Sequence, residues 1–119
     1  MGGDLAAFLA ERYDEAGGSA QKLLRTAQDV RLALQDPRLL GRIIPGWHSW
    51  PDVEAMCTSR LADIALKRAI LAGHTPVRSS GRTMCRTCLG SCTFWPCATV
   101  RQLGTEFADH AAYLREWAP

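Results

Sequence analysis

The sequence predicts an all-α fold, a small helical domain of three to five helices with a structural zinc clasp between the central helix and the last. Three observations carry that expectation. Apolar residues recur at helical spacing over long stretches, with capping residues and breakers at their ends. No stretch reads as a convincing strand, although a short hairpin is allowed at the Cys-x2-Cys knuckle. Four of the five cysteines, Cys85, Cys88, Cys92 and Cys97, crowd into thirteen residues, with His74 a short loop upstream.

Asp4 is a candidate N-cap, followed by Leu5, Phe8, Leu9 and Tyr13 on one helical face. Gly17-Gly18 costs about 1 kcal/mol per residue relative to alanine and is expected to bend or end the helix. A second segment carries Leu23, Leu24, Ala27, Val30 and Leu34, and Asp36-Pro37 stops it. Residues 1–36 are thus two helices or one bent helix. Residues 37–51 are irregular, punctuated by proline and glycine, with Trp47 and Trp50 flanking His48 and Ser49. Residues 52–73 form the central helix: Pro51 and Asp52 suit its start, Cys57, Leu61, Ile64 and Leu71 its apolar face, and Gly73 its end. Cys57, on that face, reads as a buried thiol without chemistry. Residues 74–95 are the zinc loop. Residues 96–119 hold one or two helices opened by Pro96, with Val100, Leu103, Phe107, Leu114 and Trp117 apolar and a break allowed at Asp109. Trp95, just before Pro96, is expected to pack as a staple over the metal site.

The chain has 119 residues, 47% hydrophobic and 22% charged, which is the composition of one ordinary globular domain. A net charge of +2 is too small to mark a nucleic-acid binder by itself. The charge is uneven, however. Between Pro76 and Arg101 there are four arginines, Arg78, Arg82, Arg86 and Arg101, and no carboxylate. No signal peptide and no membrane-spanning run are read, so the expected location is the cytoplasm, where clustered cysteines favour metal or redox chemistry over disulfides.

Cys85 and Cys88 have the two-residue spacing that turns both sulfurs toward one tetrahedral ion. Two sets of ligands complete the site. In one, Cys85, Cys88, Cys92 and Cys97 all bind, with Gly90 making a tight turn. In the other, His74 at the end of the central helix and Cys97 at the start of the last join Cys85 and Cys88, and Cys92 is spare. An iron–sulfur cluster also takes four thiolates, but the spacing does not match the common ferredoxin runs. A redox dithiol at Cys85–Cys88 has the right gap and lacks the surrounding βαβ pattern. Four unligated thiols remain the bland alternative. Catalytic zinc needs an open position and a general base, and neither H-x-E nor P-C-x-x-C is present.

The blocks DLAAFLAERYDE, RLADIALKRAILAGH and WPCATVRQLGTEFADHAAYLREWAP resemble a family of small uncharacterised proteins from actinobacteria and their phages. The resemblance covers both ends and the middle of the chain, less so residues 17–51. That family pattern carries a His, a Cys-x2-Cys and a Trp-Pro-Cys, which fall on His74, Cys85, Cys88 and Cys97. The resemblance therefore implies the second ligand set, with Cys92 as the alternative ligand, and supplies no activity. The sequence departs from the pattern at Cys92 and at Ala111, where the family often has proline.

The expected function is an accessory or interaction protein whose zinc fixes the fold and whose partner is another protein. One alternative is nucleic-acid binding through Arg78, Arg82, Arg86 and Arg101, with Phe94 or Trp95 stacking bases. The other is a thiol redox or iron–sulfur sensor. His48 and His110 read as surface or capping residues.

Overall fold

The computed structural model describes residues 4–34, 50–88 and 94–119. Asp4 opens helix α1, Leu5–Leu34. Its carboxylate accepts the Ala6 N–H at 2.9 Å, and its carbonyl accepts the Phe8 N–H at 3.0 Å. These bonds satisfy amides that a helix start otherwise leaves without partners. The bend expected at Gly17-Gly18 does not occur, and α1 runs unbroken for 30 residues. Two glycines weaken a helix, but long helix-forming segments on both sides propagate through them.

Helix α2, Trp50–Gly73, has Asp52 in its first turn, where a carboxylate favours the positive end of the helix. It ends at Gly73 as expected, and the His74 N–H closes the last turn onto Leu71 O at 3.1 Å.

The chain is mostly helical but not purely all-α. Strand β1, Pro76–Ser79, pairs antiparallel with β2, Arg82–Cys85, with Pro76 opposite Cys85 and Ser79 opposite Arg82. The short hairpin allowed at the Cys-x2-Cys knuckle runs into it, Cys85 being the last residue of β2. Its two-residue loop is Ser80-Gly81, and both have positive φ, 53° and 77°. This is the geometry that matches the twist of two short strands. The pairing runs on past β2: the Arg86 N–H donates to Thr75 O at 2.8 Å, and Phe94 bridges Met84 on the other side of the strand.

The last segment also departs from expectation. Helix α3, Ala98–Gly104, is only seven residues long. Single 3₁₀ turns follow at Thr105–Phe107 and Arg115–Trp117. Phe107 and Trp117, read as apolar positions of a helix, belong instead to a cluster around one ring. Phe8 has Phe107, His110, Tyr113 and Trp117 at centroid distances of 6.0, 5.4, 6.2 and 5.0 Å. A straight helix separates positions 107 and 117 by about 15 Å along its axis, so the chain must curl to bring all four rings to Phe8.

The chain divides into two compact units. One comprises Met1–Tyr13 and Leu66–Pro119. Its core holds Leu5, Phe8, Leu9, Tyr13, Met84, Val100 and Trp117, with Cys85 and Cys97 fully buried. Arg12 is buried beside them, its guanidinium 5.1 Å from the Phe8 ring centroid and hydrogen-bonded to the His110 ring. Gly104 lets α3 approach α1 closely: a Cβ there would lie 3.3 Å from Leu5 Cδ1 and 3.5 Å from Tyr113 Cε2. The other unit, Asp14–Ala65, buries Ala20, Ala27, Cys57 and Ile64. Cys57 is thus the buried thiol its position on the apolar stripe suggested.

Candidate metal centre

Four short-range devices bring His74, Cys85, Cys88 and Cys97 together. His74 directly follows the end of α2. Cys85 is the last residue of β2, and Cys88 completes the turn after it. The Thr87 hydroxyl donates to Gly73 O, tying that turn to the residue before His74. Cys97 is the N-cap of α3, its carbonyl accepting the Arg101 N–H at 3.0 Å. It reaches the hairpin because the Trp95 N–H donates to Thr83 O at 3.0 Å, next to the Met84–Phe94 bridge. The Trp95–Pro96 peptide is cis, and Trp95 is half-buried.

The donor atoms form a compact group, all within 4.8 Å of one another. The His74 Nδ1 is nearly equidistant from three sulfurs, at 3.4 Å from Cys85, 3.6 Å from Cys88 and 3.5 Å from Cys97. A tetrahedral ion with sulfur at about 2.3 Å and nitrogen at about 2.0 Å requires S···N edges of about 3.5 Å. The four residues are therefore close enough to hold a metal ion, and the three S···N distances match such edges. All three cysteines are free thiols.

The electrostatics of the group favour a cation. Burial pushes the Cys85 thiol up, but the Cys88 backbone N–H, the His74 and Cys97 side chains and the Thr87 N–H outweigh it and bring its pKa down to about 7. Cys88 moves the other way, to about 11, through desolvation and through the sulfurs of Cys85 and Cys97 beside it. One thiolate thus forms readily and discourages the next. A positive ion between them lets Cys85 and Cys88 ionise together.

With the geometry described, the comparison with known proteins has a clear result. The chain belongs to DUF6221, a family of unknown function, whose model matches residues 2–119. No curated protein and no solved structure matches it. The family assignment brings no activity, so the chemistry of the DUF6221 chain rests on its own residues.

Of the residues singled out in the sequence, His74, Cys85, Cys88 and Cys97 converge, whereas Cys92, Trp47 and His48 lie outside the described residues. The arginines do not form one group. Arg101 is committed to the fold, donating to Pro96 O at 2.9 Å and Glu116 O at 2.7 Å. Arg78, Arg82 and Arg86 are exposed on or beside the hairpin. His110 caps its own turn, its Nδ1 accepting the Ala112 N–H at 3.0 Å. Thr87 was missed from sequence, because a hydroxyl that reaches a carbonyl fourteen residues away leaves no local pattern. Among the described residues no helix is long and apolar enough to cross a membrane.

Proposed function

We propose that this protein is a small cytoplasmic accessory or interaction protein in which one zinc ion, held by His74, Cys85, Cys88 and Cys97, fixes the fold without taking part in a reaction. The observation that carries the reading is the position of His74 Nδ1, within 3.4–3.6 Å of three sulfurs. A Cys₃His set filled by protein ligands leaves no open position for water or substrate, which is the mark of a structural rather than a catalytic zinc. The donors also come from the end of α2, the hairpin and the start of α3, so one ion would reinforce the bonds that Thr87, Arg86 and Trp95 already make between these elements. The partner is taken to be another protein, and the host an actinobacterium or its phage, on the resemblance in the three sequence blocks.

Native mass spectrometry of the purified chain tests the metal. One zinc per chain is the expected mass, and a chain purified in zinc-containing medium that carries none overturns the reading. An iron–sulfur cluster would instead give a brown protein with visible absorbance after anaerobic purification.

A further inference from the structure

We propose that the face of the hairpin carrying Arg82, Met84 and Phe94 is a binding surface for single-stranded nucleic acid, with Phe94 as the stacking platform and Arg82 as the phosphate contact. Phe94 is 55% exposed, although its backbone is pinned to β2 through the bridge with Met84. A large aromatic ring left half open on a fixed backbone is a platform rather than a loose loop residue. The bridge also sets its direction. Arg82 and Met84 share one face of β2, and Phe94 opposite Met84 falls on that face. The Arg82 guanidinium accordingly lies 5.5 Å from the Phe94 ring centroid.

Arg78, paired with Thr83, belongs to the opposite face of the hairpin and has no part in this surface. Its guanidinium lies across the turn, donating to Thr83 Oγ1 at 3.3 Å and to Gly81 O at 3.2 Å, and the residue is exposed. Arg86 is exposed just beyond β2. No carboxylate lies between Pro76 and Arg101 to oppose Arg82. Arg101 is committed to the Pro96 and Glu116 carbonyls and has no part in this surface. The pairing of a cation with an open ring selects the ligand. An acidic peptide satisfies the charge but offers no π face, and a duplex keeps its bases stacked inside. A single strand presents both phosphates and free base faces.

Fluorescence anisotropy of the metal-loaded chain with short labelled oligothymidylate and oligouridylate tests the proposal. Binding to a single strand that weakens as salt rises is expected. Phe94→Ala should weaken it by about tenfold, the scale of one lost base stack, and Phe94→Trp should restore it. Arg82→Gln should weaken it and reduce the salt slope by about 0.7. Circular dichroism and metal content, unchanged in all three variants, show that the fold is intact. No binding at low salt overturns the proposal, as does binding that is indifferent to Phe94→Ala, or a duplex bound as tightly as the single strand. Each of these leaves the metal centre untouched, because metal content is read separately.

Discussion

Cys57 and Cys97 are both almost completely buried, at 2% and 0% exposure, but they differ in what surrounds them. Cys57 sits on the apolar face of α2 and behaves as a small hydrophobe. Cys97 faces His74 Nδ1 at 3.5 Å and two further sulfurs. Cys57→Ala should therefore leave the metal content at one ion per chain and cost about 1 kcal/mol of stability. Cys97→Ala should remove the ion and lower the melting temperature by about 10 °C or more, since losing a ligand forfeits several kcal/mol of binding energy coupled to folding. Elemental analysis beside thermal melts separates the two. If the Cys97 variant keeps its metal, the ligand set is wrong. Gly104 makes a similar point about packing. With Leu5 Cδ1 only 3.3 Å from a Cβ placed there, Gly104→Val should overpack the contact and destabilise by about 1–3 kcal/mol in a denaturant titration.

Elements respond to substitution according to what they hold. Gly18 lies inside α1 with open space around it, and a Cβ at that position would meet nothing within 4 Å. Gly18→Ala should raise stability by about 0.5–1 kcal/mol, by removing backbone freedom from the unfolded chain and improving helix propensity. A denaturation midpoint that falls instead would mean α1 needs the glycine. Gly81 is the opposite case, with φ of 77° in the hairpin loop. Gly81→Val forces a β-branched residue into the left-handed region at a cost of about 1–3 kcal/mol. Because β2 delivers Cys85, the same change should also weaken metal affinity, which competition with a chromophoric chelator measures directly.

At the scale of the whole molecule, an ion held by His74, Cys85, Cys88 and Cys97 would join the end of α2, the hairpin and the start of α3, and its removal should lower overall stability. A strong chelator is expected to lower the melting temperature and reduce helical circular dichroism together. An unchanged melt would sink the structural role. Acid should act through the same site. In the metal-free protein near neutral pH the Cys88 thiol, with a pKa of about 11, holds its proton, and Cys85, at about 7, is partly protonated. The metal-bound site holds neither proton, so binding releases protons and affinity rises with pH. Metal affinity should fall at least tenfold per pH unit as pH drops from 8 to 6, about one displaced proton or more per ion. An affinity independent of pH over that range would show that the thiols are not the ligands.

The candidate metal centre was readable in the amino-acid order because its chemistry is local. Cys85 and Cys88 declare a knuckle by their spacing, and His74 and Cys97 adjoin helix boundaries marked by Gly73 and Pro96. The helical character of α1 and α2 was equally plain, since long apolar periodicity and caps such as Asp4 act within a few residues. Three features required the folded chain. Ser80-Gly81 is a turn signal, but strands of four residues are too short to show a period, and only pairing across the turn reveals β1 and β2. The spacing that suggested one or two helices over residues 96–119 was instead satisfied by a short helix and a curled chain, because packing Phe107, His110, Tyr113 and Trp117 around Phe8 outweighs local propensity. The four arginines looked alike until their partners appeared, with Arg101 bound to carbonyls and Arg82 lying over an open Phe94. Residue type and short spacing name the candidate ligands but leave His74 and Cys92 as alternatives, whereas strand pairing, ring clustering and the sorting of like charges depend on contacts between distant segments, and those exist only once the chain has folded.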